Sequence, residues 1–341
     1  MDNVRQKTSM QDIADALNIS KNAVSLALNN KSGISETLRN KVVQTAILMN
    51  YGGYGKLGNS SGNNLVAICV PSAISGFSQF YSSVYWAIEK ELSAHGYRSL
   101  LTSITQEMEH NLSFPEVLHE QGLKGVIVVG VISKEYILKM VNSFNNFVQV
   151  DNYYMDLAIN SVATANVEGG YEATKFLVEQ GAERIGFVGD IHAYNSYKDR
   201  YRGYELALSD VLIPKIPSRI FTDSALFSPT LQLDILMEKM KEEQLDAIFC
   251  ASDRIAIQLI GMMHKNGLQI PQDISIIGFD DTENSDIVNP PLTTMRVPRT
   301  ELGHVAATLL IEKIASKRKP PSAISIYPKL IQRKSVLMKH L

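Results

Sequence analysis

Residues Ile19 to Ser35 read ISKNAVSLALNNKSGIS. Ala23, Val24, Ala27 and Leu28 recur at the three-and-four spacing of a helix with one apolar face. The front of the other face carries short or basic side chains: Ser20, Lys21, Asn22 and Ser25. A leucine, Leu26, stands among them. Ser20 is placed to cap this helix, and NNKSG (29–33) ends it. Upstream, Ser9 and Asp12 have capping-box spacing ahead of Ile13, Ala14 and Leu17, and LNIS (17–20) breaks that first helix. Downstream, Ser35 opens a third helix with Leu38, Val42, Ala46 and Met49 along one face, stopped by Asn50 and Gly52.

Two short helices joined by a tight turn form a helix-turn-helix, whose second helix enters the DNA major groove by its N-terminal residues. Here those are Ser20, Lys21, Asn22 and Ala23. Asparagine can bond adenine N6 and N7, and lysine can reach guanine O6 and N7. Ser25 and Asn29 are short enough to bond phosphates. A small helical interaction module with a solvated polar face is the alternative on pattern alone. Charge bears on the choice. Residues 1–58 hold seven basic and four acidic side chains, a net of +3 in a chain whose total is −2. A basic module on an acidic body suits a polyanionic partner for the module alone.

The remaining composition is that of a globular chain of two or three domains: 341 residues, 45% hydrophobic and 20% charged. Cys69 and Cys250 lie inside apolar runs, so they read as buried strand residues in a reducing compartment. No metal-ligand spacing occurs, and no cofactor or metal is expected. The N-terminus is polar rather than signal-like, and no apolar run is long enough for a membrane span. A cytoplasmic protein is expected.

Gly52 to Asn64 contains five glycines in thirteen residues and reads as a flexible linker. From Leu65 the pattern changes. Apolar runs at 65–70 (LVAICV), 125–130, 147–150 (FVQV), 184–189, 246–251 and 274–279 suit strands buried on both faces of a parallel sheet. Helix-length stretches lie between them, among them Ser82–His95, Gly170–Gln180, Arg202–Leu212 and Arg254–Asn266. The alternation predicts a doubly wound α/β body. About 275 residues exceed one comfortable sheet, so two α/β lobes with a cleft are expected, with ligands at the carboxyl ends of strands.

The segment MQDIADALNISKNAVSLALNNKSGISETLRNKVVQTAILMNY (10–51) resembles the headpiece of the LacI/GalR family of bacterial transcription regulators. The matching elements are Asp12-Ile13-Ala14, Ile19-Ser20, Ala23-Val24-Ser25, Leu28-Asn29-Asn30, Ile34-Ser35, Arg39 and Asn50-Tyr51, without a gap. The resemblance continues through VEGGYEATKFLVEQGAERIGFVGD (167–190), DRYRGYELAL (199–208), the stretch 250–298 and LIQRKS (330–335), which are similar to the family's periplasmic-binding-protein-like core. It implies a helix-turn-helix domain at 1–51, a hinge at 52–64 and an effector-binding and dimerisation core at 65–341. The first lobe would take about 65–160 and 292–320, the second about 161–291 and 321–341. It also adds Tyr51 and Leu26 to the DNA-contacting set. Two departures stand out. Leu26 occupies a position where the family commonly has a base-reading arginine; a leucine offers only apolar contact, for instance to a thymine methyl. The glycine-rich 52–64 replaces the family's hinge helix. Glycine costs about 1 kcal/mol per helical position relative to alanine, so a stable hinge helix is not expected, and Leu57 is the one candidate minor-groove wedge.

The resemblance also implies a ligand site. Arg200, three residues before Gly203, matches the family's ligand-gripping arginine. Asp280 follows a strand at its carboxyl end. Asn166 matches an Asp-Asn pair whose Asp is here Ala165, and Ser252 precedes the matching Asp253. Phe80 and Tyr81 occupy an aromatic position, and Asp151 follows FVQV. Planar bidentate groups beside an apolar platform suit a polyhydroxylated effector, a sugar or sugar derivative. For the acidic residues, structural roles stay open: Asp280-Asp281 as a loop cap and Asp253 as the N-cap of helix 254–266. No nucleophile elbow, phosphate loop or metal cluster accompanies them, so an enzyme is not expected. The expected protein is a homodimeric regulator, a repressor, whose headpieces bind operator half-sites about one helical turn apart under control of a ligand between the lobes. A transport-type solute-binding protein, or a ligand sensor acting through protein contacts, are the other readings of the body.

Overall fold

The computed structural model describes residues 8–28, 31, 33–49, 51, 64–72, 79–214, 216–227, 233–316 and 320–339. Three helices come first: α1 (Met10–Leu17), α2 (Lys21–Leu28) and α3 (Glu36–Leu48). Each starts where a serine is available. The Ser9 hydroxyl accepts from the Asp12 amide while the Asp12 carboxylate accepts from the Ser9 amide at 2.6 Å, closing the capping box. Ser20 accepts from the Ala23 amide at 3.1 Å and Ser35 from the Leu38 amide at 3.2 Å. Asn18, in the left-handed region (φ 51°), ends α1. Ile13, Ala14, Val24, Ala27, Val42 and Ala46 make one small core among the three helices.

The chain continues as β1 (Leu65–Pro71), α4 (Gln79–Ala94), β2 (Arg98–Ile104), α5 (Gln106–Asn111), β3 (Leu123–Val129), α6 (Lys134–Ser143), β4 (Phe147–Val150) and β5 (Ser161–Thr164). Next come α7 (Asn166–Glu179), β6 (Ile185–Val188), α8 (Asn195–Asp210), β7 (Ile220–Phe221), α9 (Leu233–Glu242), β8 (Ala247–Cys250) and α10 (Asp253–Lys265). β9 (Ser275–Asp280), α11 (Asn284–Ile287), β10 (Thr293–Arg296), α12 (Arg299–Ala315), β11 (Ala323–Ile326) and β12 (Lys329–Ile331) complete it.

The strands form two six-stranded sheets, ordered β11-β5-β4-β3-β1-β2 and β12-β10-β9-β8-β6-β7. The chain divides into two compact units, Met1–Val162 with Arg299–Ile324, and Ala163–Pro298 with Ser325–Leu341. Central strands are almost fully buried because helices cover both faces, which is why they read as unbroken apolar runs. The edge strand β2 is partly exposed along nearly its whole length, and the expected strands omitted it. The six expected strands fall within two residues of β1, β3, β4, β6, β8 and β9.

Two boundaries differ from expectation. Residues 292–298, assigned to the first lobe, belong with the second unit, because β10 pairs in parallel with β9 and antiparallel with β12. Residues 321–324 belong with the first, where β11 flanks β5 and the Ser161 amide donates to the Ser322 carbonyl. Expected helices Gly170–Gln180 and Arg202–Leu212 start earlier, at Asn166 and Asn195. A glycine in each helix marks a close crossing. A Cβ on Gly203 would stand 2.0 Å from the Val167 carbonyl oxygen, and one on Gly170 2.2 Å from that of Arg200. Only hydrogen at these two positions lets α7 and α8 touch backbone to backbone.

Candidate nucleic-acid interface and ligand site

In the headpiece, Lys21 and Asn22 are exposed at the start of α2, and Ala23, Ser25 and Leu26 are half-buried. Ser20 uses its hydroxyl as the cap. Leu26 leans on the turn after the helix, its Cδ1 3.7 Å from where a Gly33 Cβ would be. Tyr51 packs against the headpiece core, and burial raises its phenol pKa. Asn29 lies outside the described residues, as do Gly52–62 and the wedge candidate Leu57. Arg39 plays a part that the sequence pattern did not suggest. Nη1 donates to the carbonyls of Leu26 (3.3 Å) and Ala27 (3.4 Å), and Nη2 to that of Lys31 (2.7 Å). A cation thereby meets carbonyls at and just beyond the C-terminus of α2, where the helix dipole favours it.

The second unit gathers Arg200, Ser252 and Asp280 toward the carboxyl ends of its strands, with Asn166 beside them at the start of α7. The α7–α8 crossing brings Arg200 beside the first turn of α7. Its Nε donates to Asn166 Oδ1 at 2.9 Å and its Nη1 to the Ala251 carbonyl, just beyond β8, at 2.6 Å. Its Nη2 lies 3.1 Å from Asp280 Oδ1. The guanidinium also covers the Phe279 ring and flanks Tyr197. The arginine is 4% exposed. Such a cation survives burial because every face of it meets an acceptor or a π surface. Asp280, the last residue of β9, is more exposed than its arginine and adopts φ 111°, and Asp281 follows at φ 51°. These are left-handed conformations, worth about 1–3 kcal/mol of strain each in a non-glycine residue.

The strain is held from below. Asp281 receives Arg296 Nε at 2.6 Å and Arg333 Nη2 at 2.7 Å. Burial opposes its ionisation, but these hydrogen bonds and charges keep its pKa below the usual carboxylate range. Asp253 is fully buried. One oxygen accepts from the Thr282 amide (2.8 Å) and Ser285 hydroxyl (2.5 Å), the other from the Thr294 hydroxyl (2.5 Å). The effector-binding expectation for Asp253 is therefore corrected: it ties α10 to the loop after β9 and to β10, inside the unit. Nor does it cap its helix, since Ser252 holds the N-cap position. Burial, and then the nearby Asp280 charge, raise its pKa to about 6. The buried Ser252 hydroxyl bonds no amide of α10; it lies near the Tyr197 phenol without a hydrogen bond of normal geometry.

In the first unit, the Tyr81 hydroxyl donates to Asp151 Oδ2 at 3.3 Å. This joins the first turn of α4 to the end of β4, where Asp151 has φ 64°. Phe80 lies on α4, but its side chain falls outside the described residues. The sequence reading missed Tyr197, Phe279 and the Arg296–Asp281–Arg333 pair of bridges. Phe279 was hidden inside an apolar strand run, and Arg333 is brought to Asp281 only by β12 pairing with β10. Among the described residues, no group of three or more His, Cys, Asp or Glu could hold a metal ion, and no helix is long and apolar enough to cross a membrane.

Comparison with known proteins agrees with this construction. Residues 9–52 match the model of bacterial regulatory proteins of the lacI family, and residues 174–336 match a periplasmic binding protein-like domain. Over 332 residues the chain is 26% identical to the HTH-type transcriptional repressor PurR of Escherichia coli O139:H28, covering 96% of both chains. In fold it is similar to a transcriptional regulator CelR–cellobiose complex (TM-score 0.71, 20% identity, 96% of this chain and 100% of that one). It is also similar to a LacI family transcriptional regulator from Enterococcus faecium with bound ribose (TM-score 0.67, 24% identity, 81% and 100%). A lacI-family headpiece followed by a periplasmic-binding-protein-like body makes this chain similar to bacterial transcription regulators of the LacI family over nearly its whole length.

Proposed function

We propose that this protein is a homodimeric repressor that reads duplex DNA through α2 and responds to a sugar or sugar derivative held at Arg200. The observation that carries the ligand assignment is the buried Arg200 guanidinium, fixed by Asn166 and paired with a less buried Asp280. Adjacent donors and acceptors of this kind match vicinal hydroxyls, which are each both donor and acceptor. Ser252 and Tyr197, in the same unit, are assigned supporting contacts, and the Tyr81–Asp151 pair of the first unit is assigned a contact of its own with the effector. Bound ribose and cellobiose in two regulators of this fold support the carbohydrate class. On the DNA side, Lys21 and Asn22 read base edges, while Ser20, Ser25 and Asn29 approach phosphates. Leu26 supplies an apolar contact and Tyr51 holds the end of α3. Two headpieces on a dimer address a pseudo-palindrome.

The test is in-vitro selection of duplex DNA with the full chain, then gel shift of the recovered sequence over a salt and sugar series. Binding that weakens steeply with salt and changes tenfold or more with one sugar supports the proposal. Recovery of no preferred sequence at low salt would overturn it.

A further inference from the structure

The headpiece does not stand free of the body in the first unit. α3 lies against α4 and the edge strand β2. Arg39 and Val43 are one turn apart, so they share a face of α3. The Arg39 guanidinium lies over the Trp86 ring, 6.0 Å from its centroid. Val43 is fully buried although it is not part of the headpiece's own apolar cluster. Arg39 thus has two sides: its nitrogens hold the C-terminal carbonyls of the recognition helix, and its carbon face meets a body side chain. Lys21 and Asn22 remain exposed, so this contact leaves the base-reading end of α2 open.

We infer that the headpiece is oriented by docking of α3 on α4 around Trp86, and that this contact couples the body to operator binding. It replaces the role a hinge helix would take, which the five glycines of 52–64 disfavour. The docking element suits the task. α4 carries Tyr81, bonded to Asp151 at the carboxyl end of β4, and five residues later Trp86 under Arg39. A shift of α4 driven from its first turn therefore reaches the C-terminal cap of α2 through one rigid helix. The operator half of this inference rests on the repressor reading above; the docking half does not.

Trp86 is the chain's single tryptophan, so it reports the contact directly. In the full chain, Val43→Glu is expected to raise acrylamide quenching of Trp86 about twofold with far-UV circular dichroism unchanged, because the ring loses its cover. Unchanged quenching would overturn the docking. If Val43→Glu loses ellipticity, Val43→Asn carries the same test. On duplex recovered by selection, Val43→Glu and Trp86→Leu are each expected to weaken binding about tenfold, and the double variant no more than either alone. Full affinity in both single variants, or additive losses, would overturn the coupling. A selection that recovers no preferred duplex removes the repressor reading and the coupling with it, while the quenching result still decides the docking.

Discussion

The Arg200 guanidinium lies over the Phe279 ring, its central carbon 3.7 Å from the ring centroid, so an apolar strand residue serves as the floor of a charged site. From above, the same guanidinium is committed to Asn166, Ala251 and Asp280. A lysine ammonium cannot serve three acceptors in this planar arrangement. Arg200→Lys is expected to weaken sugar binding by at least about tenfold and to destabilise the fold by about 1–3 kcal/mol, since buried acceptors lose their donors. Titration calorimetry with a sugar found by thermal shift checks the first effect and urea unfolding the second. Wild-type affinity in the variant would remove Arg200 from the ligand site.

The α7–α8 contact leaves no room for a methyl group at Gly203, where an added Cβ would meet carbonyl oxygen and backbone rather than a flexible side chain. Gly203→Ala is expected to cost about 1–3 kcal/mol through forced backbone separation. It should also reduce ligand affinity, because the helix that moves carries Arg200. A stability equal to wild type by denaturant unfolding would show that the helices are less closely apposed than this.

These two residues show how far the sequence alone reaches. Arg200 was identifiable, because a charged residue at fixed spacing from Gly203 carries a family resemblance. What Gly203 does was not, because a glycine in a polar helix signals a close crossing only when its partner helix is known. FVQV at 147–150 coincides with β4 because burial on both faces leaves an unbroken apolar trace. TTMR at 293–296 leaves no such trace. Its threonines are buried through bonds to Asp253 and Arg333, so β10 was assigned to the wrong unit. Asp253 failed for the same reason: its carboxylate is matched by one amide and two hydroxyls from segments 29 to 41 residues away.

Asp253 gives a signed pH dependence. Its folded pKa, about 6, lies above its ordinary value of 3.8. Its contribution is therefore fully present below pH 4 and is lost as pH rises through about 6. Relative to Asp253→Asn, which does not titrate, the melting-temperature advantage of wild type should shrink between pH 4 and pH 7. A gap that widens with pH would mean that the three hydrogen bonds, not burial, dominate this carboxylate.

Asn22 and Leu26 make separable predictions on DNA. Asn22→Ala is expected to cost about 1–3 kcal/mol on the selected duplex and to relax preference at one base pair, whereas Lys21→Ala should also lower the salt slope if it touches phosphate. Leu26→Arg is expected to shift preference toward guanine at its position. Leu26 leans on Gly33, so an unchanged preference in the selection would mean that this position faces the turn rather than the groove.

The last strands have a consequence for synthesis. β11 completes one edge of the first sheet and β12, three residues later, one edge of the second. Neither unit is encoded by an uninterrupted stretch. A nascent chain can form the headpiece early, since its three helices are contiguous, but both sheets stay open at one edge until the ribosome has passed Ile331. Unpaired strand edges template aggregation. The protein is therefore vulnerable until β12 has been made, and a stop codon between Ala315 and Ala323 would leave both sheets without an edge strand rather than one lobe damaged.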